Sequence, residues 1–395
     1  MAPDTCRSRR VTALGLPELL VPTTAESARE VIADAHATHE PLRLAGAGRW
    51  LRAGAPVASA RTLMLRQLSG IVEYVPGDLT ITARAGTTMA ELAQATAAHG
   101  QWIGLDPAGD TNGTIGATIA TASSGPLAHA FGTPRDLVLG LECITGYGEI
   151  VRPGGRVVKN VAGFDLVRLY TGSWGTLGAV TLVTMRLRAL PVHDVTLAMP
   201  LTDAGQLAAL LPMLRANTVS LLACEWLDGG TASRLGAGTG EDVILLRLGG
   251  NDRFVRGQRA GLDSITSCRS ADPALWGAIQ ALDADAEVVL RYSGTVSDLP
   301  ARIARLRSTL SAAGATVAMH ASLGRGIVRV IVSAGLAQAR AALQATTPGE
   351  TRIAERMPET WWATELDAFT GGLAGRIRAA FDPHQVCNRR RVPDA

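Results

Sequence analysis

The feature that most limits what this chain can fold into is a stretch without one charged side chain. It is TNGTIGATIATASSGPLAHAFGTP, residues 111–134. Its length would suit a membrane span, but its Gly, Thr and Ser content does not suit hydrocarbon. Gly113, Gly116 and Gly125 take side chains away, while Thr114, Thr118, Thr121, Ser123 and Ser124 supply small hydrogen-bonding groups. Such a segment can wrap a large, partly polar ligand at van der Waals distance; a glycine-rich β-arch without a ligand is the alternative.

Two further glycine-rich segments flank it. LRLAGAGRW, residues 42–50, places a GxG after a short apolar run. Two features count against a dinucleotide fold of the Rossmann type. Arg49, Trp50, Gly54 and Pro56 do not open a helix, and no Asp or Glu lies between Glu40 and Glu73 to hold a ribose. The loop can still offer backbone N–H groups to an anion, or be a tight turn only. The third segment is GGRVVKNVAGFDLVRLYTGSWGTLGAVT, residues 154–181.

With 395 residues the chain is long enough for two domains, and 47% hydrophobic against 18% charged residues is a globular composition. A net charge of +3, from 38 basic and 35 acidic residues, is too small to imply nucleic acid. Arg302, Arg305 and Arg307 sit at helical spacing and read as a solvated face. Cys6, Cys143, Cys224, Cys268 and Cys387 are scattered, with no metal-ligand or CxxC spacing, which reads as reduced and cytoplasmic. Arg7, Arg9 and Arg10 are followed by Pro17 and Glu18 before an apolar run develops, so no secretory signal or transmembrane segment is expected.

Residues 19–45 read as strand, helix, strand, with Thr23 and Glu26 as a capping box and Ala28, Val31, Ile32 and Ala35 on one helical face. Residues 79–85 alternate as a strand, and Thr88 with Glu91 opens a helix that Gly100 stops. From 101 to 190 strand and loop are expected, with strands at 137–145 and 177–190. Beyond Pro191, helical segments (202–216, 251–265, 296–313, 335–345) alternate with strands (218–226, 242–248, 287–293, 327–333), the pattern of an α+β domain on an antiparallel sheet.

The string KNVAGFDL…YTGSWGTLGAVT resembles the KNVAGYDL…GSxGTLG motif of the FAD-linked 2-hydroxyacid dehydrogenases, a branch of the vanillyl-alcohol-oxidase-like, PCMH-type flavoproteins. DPAGDTNGTIGATIAT and RDLVLGLECITGYGEIV are similar to further segments of that family in the same order, over about residues 20–190. Within it, the FAD-binding (E-type) subunits of glycolate oxidase are most similar, through the 154–160 lead, LRYS at 290–293 and a compact second domain. AFDPHQVCNRRR, residues 380–391, resembles the family's closing segment, with Arg389 and Arg390 where the family has Pro-Gly.

The resemblance implies an α+β fold. An N-terminal extension (1–18) precedes a two-part PCMH-type FAD-binding domain (19–191). A cap domain with an antiparallel sheet (192–375) follows, and a C-terminal segment (376–395) returns toward the FAD domain. It assigns cofactor contacts to Gly46, Ala47, Gly48, Arg49 and Trp50, to Pro107, Gly113, Thr114, Gly116 and Ser123, and to Gly178 and Val180. Arg49 is either a partner for the diphosphate or a surface arginine; Trp50 packs on the cofactor or in the core. The first loop holds no histidine, so non-covalent FAD is expected. The family's cap motif with histidines, Asp and Asn corresponds to MHASLGRGIVRV, residues 319–330. His320 is kept, while Leu323 and Arg325 replace the Asp and Asn, so no metal site is expected. His320 is a candidate base or a satisfied histidine, and Arg291 a carboxylate anchor or a structural ion-pair member.

The expected function is that of an FAD-binding subunit in a glycolate dehydrogenase-like complex that oxidises a small 2-hydroxy acid. A catalytic flavosubunit and an iron–sulfur subunit would be its partners, in the cytoplasm or held to the inner face of the membrane through them. A self-sufficient D-2-hydroxyacid dehydrogenase and a non-catalytic assembly subunit are the alternatives.

Overall fold

The apolar face of the first helix sets the first layer. In the computed structural model, which describes residues 18–59, 61–155, 164–215, 220–344, 347, 349–366 and 372–389, the helix Ala25–Thr38 buries Ala28, Ile32 and Ala35. Residues 1–17, the Lys159-Asn160 lead and Arg390 lie outside the described residues. The helix packs on a parallel three-stranded sheet in which Arg61–Met64 runs between Glu18–Leu20 and Leu42–Ala45. Its cap is one residue later than the sequence pattern implied. Ser27 N donates to Thr24 Oγ1 at 3.1 Å and Thr24 N to Ser27 Oγ at 3.3 Å, because the hydroxyl of Ser27 stands where a Glu side chain was expected to reach back.

A five-stranded antiparallel sheet forms the second layer, in the order Ile71–Val75, Thr80–Arg84, Gly178–Arg186, Val138–Thr145, Ile150–Val151. The helix Met89–Ala97 beside it carries the expected capping box, with Glu91 N donating to Thr88 Oγ1 at 3.1 Å and Thr88 N to Glu91 Oε2 at 2.6 Å. The expectation of strand and loop alone between 101 and 190 is corrected by four short helices: Ile115–Thr121, Ala128–Phe131, Pro134–Leu137 and Leu166–Tyr170. Gly116, inside the first of these helices, serves packing. A Cβ there would lie 2.5 Å from Ala85 Cβ and 2.9 Å from its carbonyl oxygen, so only glycine lets the Ile115–Thr121 helix touch the neighbouring backbone.

Residues from His193 onward build an antiparallel eight-stranded sheet. Its order is Arg269–Ser270, His193–Pro200, Val243–Gly250, Ala223–Leu227, Thr316–Ser322, Ile327–Ala334, Val288–Ser293, Thr351–Arg356. The strands at 193, 269, 316 and 351 are not among those expected from the sequence. One face, with Trp226, Leu290, Tyr292, Met319, Val328 and Val330, is buried under the helices Ala204–Arg215, Asp252–Asp263, Leu299–Ala312 and Leu336–Gln344. Side chains alternate along a strand, so His320, Arg329 and Arg291 project from the other face. They form one row, because His320 pairs with Arg329 and Arg329 with Arg291 in register.

Arg302 is not on a solvated face. It is 6% exposed, its Nε lies 2.7 Å from Glu350 Oε1, and its Nη1 donates to Gly326 O at 3.1 Å. Arg305 joins it on Glu350, and Arg307 pairs with Asp242 at 2.6 Å. A helical period identifies a face but not the carboxylate that arrives from another element.

The chain end closes the first layer. After the helix Leu373–Phe381, Asp382 accepts the N–H groups of Val386 at 3.0 Å and Cys387 at 2.7 Å. Leu42 N donates to Val386 O at 2.6 Å, and Asn388 N to Leu42 O at 3.0 Å. Among the described residues no helix is long and apolar enough to cross a membrane.

Gly116→Ala is expected to destabilise the protein by about 1–3 kcal/mol through overpacking against Ala85. Gly257→Ala, in a helix where a Cβ meets nothing within 4 Å, should stabilise by up to about 1 kcal/mol. Urea unfolding of both checks this; equal shifts would contradict the close-packing role.

Candidate functional site

The three glycine-rich segments meet around the Ile115–Thr121 helix. Ile115 N and Gly116 N donate to Thr87 O and Ala85 O, each at 2.9 Å. A Cβ on Gly46 would lie 2.3 Å from Thr114 Oγ1, and one on Gly178 would lie 2.0 Å from Ile144 O. Gly172 N and Trp174 N reach back to Ile119 O and Ala120 O at 3.0 and 2.7 Å. These approaches leave a cleft of about 710 Å³. Its floor is small: Ala45, Ala85, Ala117, Ala120 and Ala179 line it together with the glycines.

Gly46, Ala47, Gly48, Arg49 and Trp50 line this cleft, as do Gly113, Thr114, Gly116, Gly178 and Val180. The N–H groups of Ala47, Gly48 and Arg49 are spent on no acceptor among the described residues, and Gly48 turns the loop at φ +85°. Arg49 is exposed at the mouth and paired with Asp110. Pro107 and Ser123 do not line the cleft; Ser123 Oγ instead accepts Ala108 N at 3.0 Å. Thr121 lines it too, and Trp174, Gly175 and Asn388 line it without having been singled out. Trp174 meets Trp50 edge-on, centroids 5.6 Å apart. Asn388 accepts Leu44 N at 2.8 Å and donates to Trp174 O at 2.7 Å. Trp174 lies in the GSWG string and Asn388 near the chain end, but a side chain's role in closing a cleft has no signature of its own.

Trp50 and Thr121 also line a second chamber, of about 520 Å³, between the first layers and the eight-stranded sheet. Ser123 and Ser124 face it from one side; Glu225, Arg291, Ser322 and Arg325 face it from the other. Arg291 Nε stands 3.7 Å from Glu355 Oε1, too far for a hydrogen bond, and is buried without a hydrogen-bond partner. Ser322 Oγ is buried and unpartnered as well. Arg329, also on the wall, is taken up by Asp283 at 2.7 Å and by Glu355. Arg325 Nη1 donates to Ser124 Oγ at 3.0 Å; burial, and then the charge of Arg291, lower its pKa from the usual value. His320 is not on the chamber wall. It lines an adjoining cavity of about 250 Å³ and its Nδ1 lies 3.1 Å from Glu225 Oε2. Arg291 and His320 are thus separated by Arg329 in the row, and of these two candidates Arg291 alone lines the chamber. Among the described residues no group of three or more His, Cys, Asp or Glu could hold a metal ion.

Residues 17–154 match the family model described as an FAD binding domain. The chain is 39% identical to glycolate oxidase subunit GlcE of Escherichia coli over 158 residues, 40% of this chain and 45% of that protein. It is 29% identical to glycolate oxidase subunit GlcD of Bacillus subtilis over 285 residues, 70% of this chain and 59% of that protein. The chain spans about half the length of these curated relatives. Among solved structures, 4-ethylphenol oxidase from Gulosibacter chungangensis superposes with a TM-score of 0.71 at 14% identity, over 95% of this chain and 89% of that one. The fold is therefore α+β and PCMH-type, an FAD-binding fold carrying a large antiparallel sheet. The cleft fits that cofactor. Its floor admits a flat ring system and its unspent N–H groups suit a diphosphate.

Asp106 is buried beside Gly125, a residue that lines both the chamber and the adjoining cavity. Burial pushes its carboxyl up to about 7; the Leu127 N–H, at 3.1 and 2.9 Å from its two oxygens, draws it back, and the charge of Glu225 adds to the rise. Its unfolded value is 3.8, so the folded protein binds the extra proton between the two. The resulting stability is in full below pH 4 and is lost as pH rises through about 7. At roughly 1.4 kcal/mol per unit, wild type should lose about 4 kcal/mol relative to Asp106→Asn between pH 4 and pH 8. Urea unfolding of both proteins across that range measures it; parallel pH curves would contradict the buried neutral acid.

Proposed function

We propose that this protein is an FAD-binding subunit that takes part in oxidising a small 2-hydroxy acid, glycolate being the leading candidate, within a glycolate dehydrogenase-like complex. One observation carries the reading: a small-floored cleft that fits FAD opens, past Trp50 and Thr121, into a chamber holding the unpartnered Arg291 Nε and Ser322 Oγ. FAD bound there supplies the acceptor for two electrons from the substrate's C–H bond. The residues of the chain do the rest. Arg291 and Arg325 bind the carboxylate, a pairing of guanidinium with a planar anion. Ser322 gives a further hydrogen bond, and Trp50 separates the chamber from the deeper part of the cleft. On this reading binding is non-covalent, supported by a cleft in which none of the described lining residues is a His, Cys or Tyr.

The names of the relatives, subunits of glycolate oxidase, support a place in a complex. Its other members would be a catalytic flavosubunit and an iron–sulfur subunit, with the assembly in the cytoplasm or against the inner face of a membrane. The chamber itself favours a second reading, a self-sufficient D-2-hydroxyacid dehydrogenase, because a site meant only for assembly has no need of a half-buried arginine whose Nε makes no hydrogen bond.

Purified protein should carry the flavin absorbance of FAD, and acid precipitation should release all of it to the supernatant. Flavin left on the precipitated chain would overturn non-covalent binding; a colourless chain that cannot take up FAD would overturn the reading as a whole. Glycolate should bleach the flavin far faster in the presence of the partner subunits than alone, whereas full turnover by the isolated chain selects the second reading. Arg291→Ala should weaken 2-hydroxy acid binding about 10- to 100-fold, the worth of a charged hydrogen bond, with FAD content unchanged.

A further inference from the structure

Glu225 is almost fully buried, its side chain 3% exposed, yet it lines the chamber. It comes from the strand Ala223–Leu227, and its register partner is Ser322. Its two oxygens differ. Oε2 takes the hydrogen bond from His320 Nδ1 at 3.1 Å, while Oε1 accepts no hydrogen bond from the described residues. His320, by contrast, has that nitrogen committed and lies behind the chamber wall, against Asp283 and Arg329.

We propose that Glu225, not His320, is the catalytic residue that takes the proton of the substrate hydroxyl, and that His320 is a positioning residue that holds the carboxylate in place. The inference rests on the 2-hydroxy acid reading above. A carboxylate fixed through one oxygen and open at the other is a preorganised acceptor, because no side-chain rotation has to be frozen during the reaction. The chamber places Arg291 and Arg325 on the same wall as Glu225, so a 2-hydroxy acid held there by its carboxylate brings its hydroxyl toward the free Oε1. In the step, the O–H bond breaks and its proton forms a bond to Glu225 Oε1. The electrons left on oxygen form the carbonyl bond. The α-hydrogen departs with its electron pair as hydride to the flavin already named, which leaves a 2-oxo acid and a neutral Glu225.

The test compares two ligands on the holoprotein by calorimetry. 2-Hydroxyisobutyrate has the hydroxyl and carboxylate but no α-hydrogen, so it binds without turning over; isobutyrate lacks the hydroxyl. Wild type should prefer the hydroxy acid. Glu225→Gln should lose about tenfold of that preference, a charge-assisted hydrogen bond, while keeping FAD content and isobutyrate affinity. Its flavin reduction by glycolate should fall about 10²- to 10⁴-fold. His320→Ala should slow reduction with isobutyrate affinity intact, and His320→Gln, which keeps an N–H donor, should recover much of the rate. If Glu225→Gln keeps both preference and rate, or if His320→Gln is as inactive as His320→Ala, the assignment is overturned. A wild type that binds neither acid, or shows no preference between them, overturns the 2-hydroxy acid reading itself.

Discussion

The approach of Gly116 to the backbone of Ala85, with Gly46 against Thr114 beside it, is the constraint on which the rest depends. The Ile115–Thr121 helix can sit between the two N-terminal sheets only because neither contact carries a Cβ. Once seated, it offers its first turn to the loop after Leu42–Ala45 and its last carbonyls to Gly172 and Trp174. The cleft is the space these fixed approaches cannot fill. Widening any one of them would give the floor a side chain and leave less room for a flat ligand.

This explains which parts of the molecule were legible. Glycine density marked all three loops of the cleft, because a missing side chain is written in the sequence. What each glycine does was not written. Gly48 supplies a turn, whereas Gly116 sits inside a helix and supplies contact; the two look alike in a string, so glycine density alone does not reveal the helix. Asn388 was harder still. Its hydrogen bonds join Leu44 and Trp174, residues far away in the chain, and a single asparagine near the chain end gives no sign of them.

The cap sheet shows the same limit from the other side. Apolar alternation announced several of its strands, but the polar face has no periodic signal that separates function from solvation. Arg302 illustrates this. Its helical spacing matched a solvated face, yet Gly294 leaves room for its guanidinium, where a Cβ would lie 1.9 Å away, and Glu350 meets it in the interior. Burying an ion pair brings little net stability, but removing one partner would leave a costly unpaired charge, so Arg302 and Glu350 are tied to each other rather than to any ligand.

The same reasoning separates the arginines of the chamber. Arg329, with its side chain 13% exposed, is held by both Asp283 and Glu355, so its charge is already neutralised. Arg291, next to it in the register row, reaches Glu355 only at 3.7 Å. Glu355 serves two cations and satisfies one. A second carboxylate brought by a ligand would therefore bind Arg291 without breaking a good ion pair, whereas at Arg329 it would have to displace one. The distances, not the residue types, decide that one arginine braces the wall and the other is available for recognition. Glu225 follows the same division, with one oxygen held by His320 and one left for what enters.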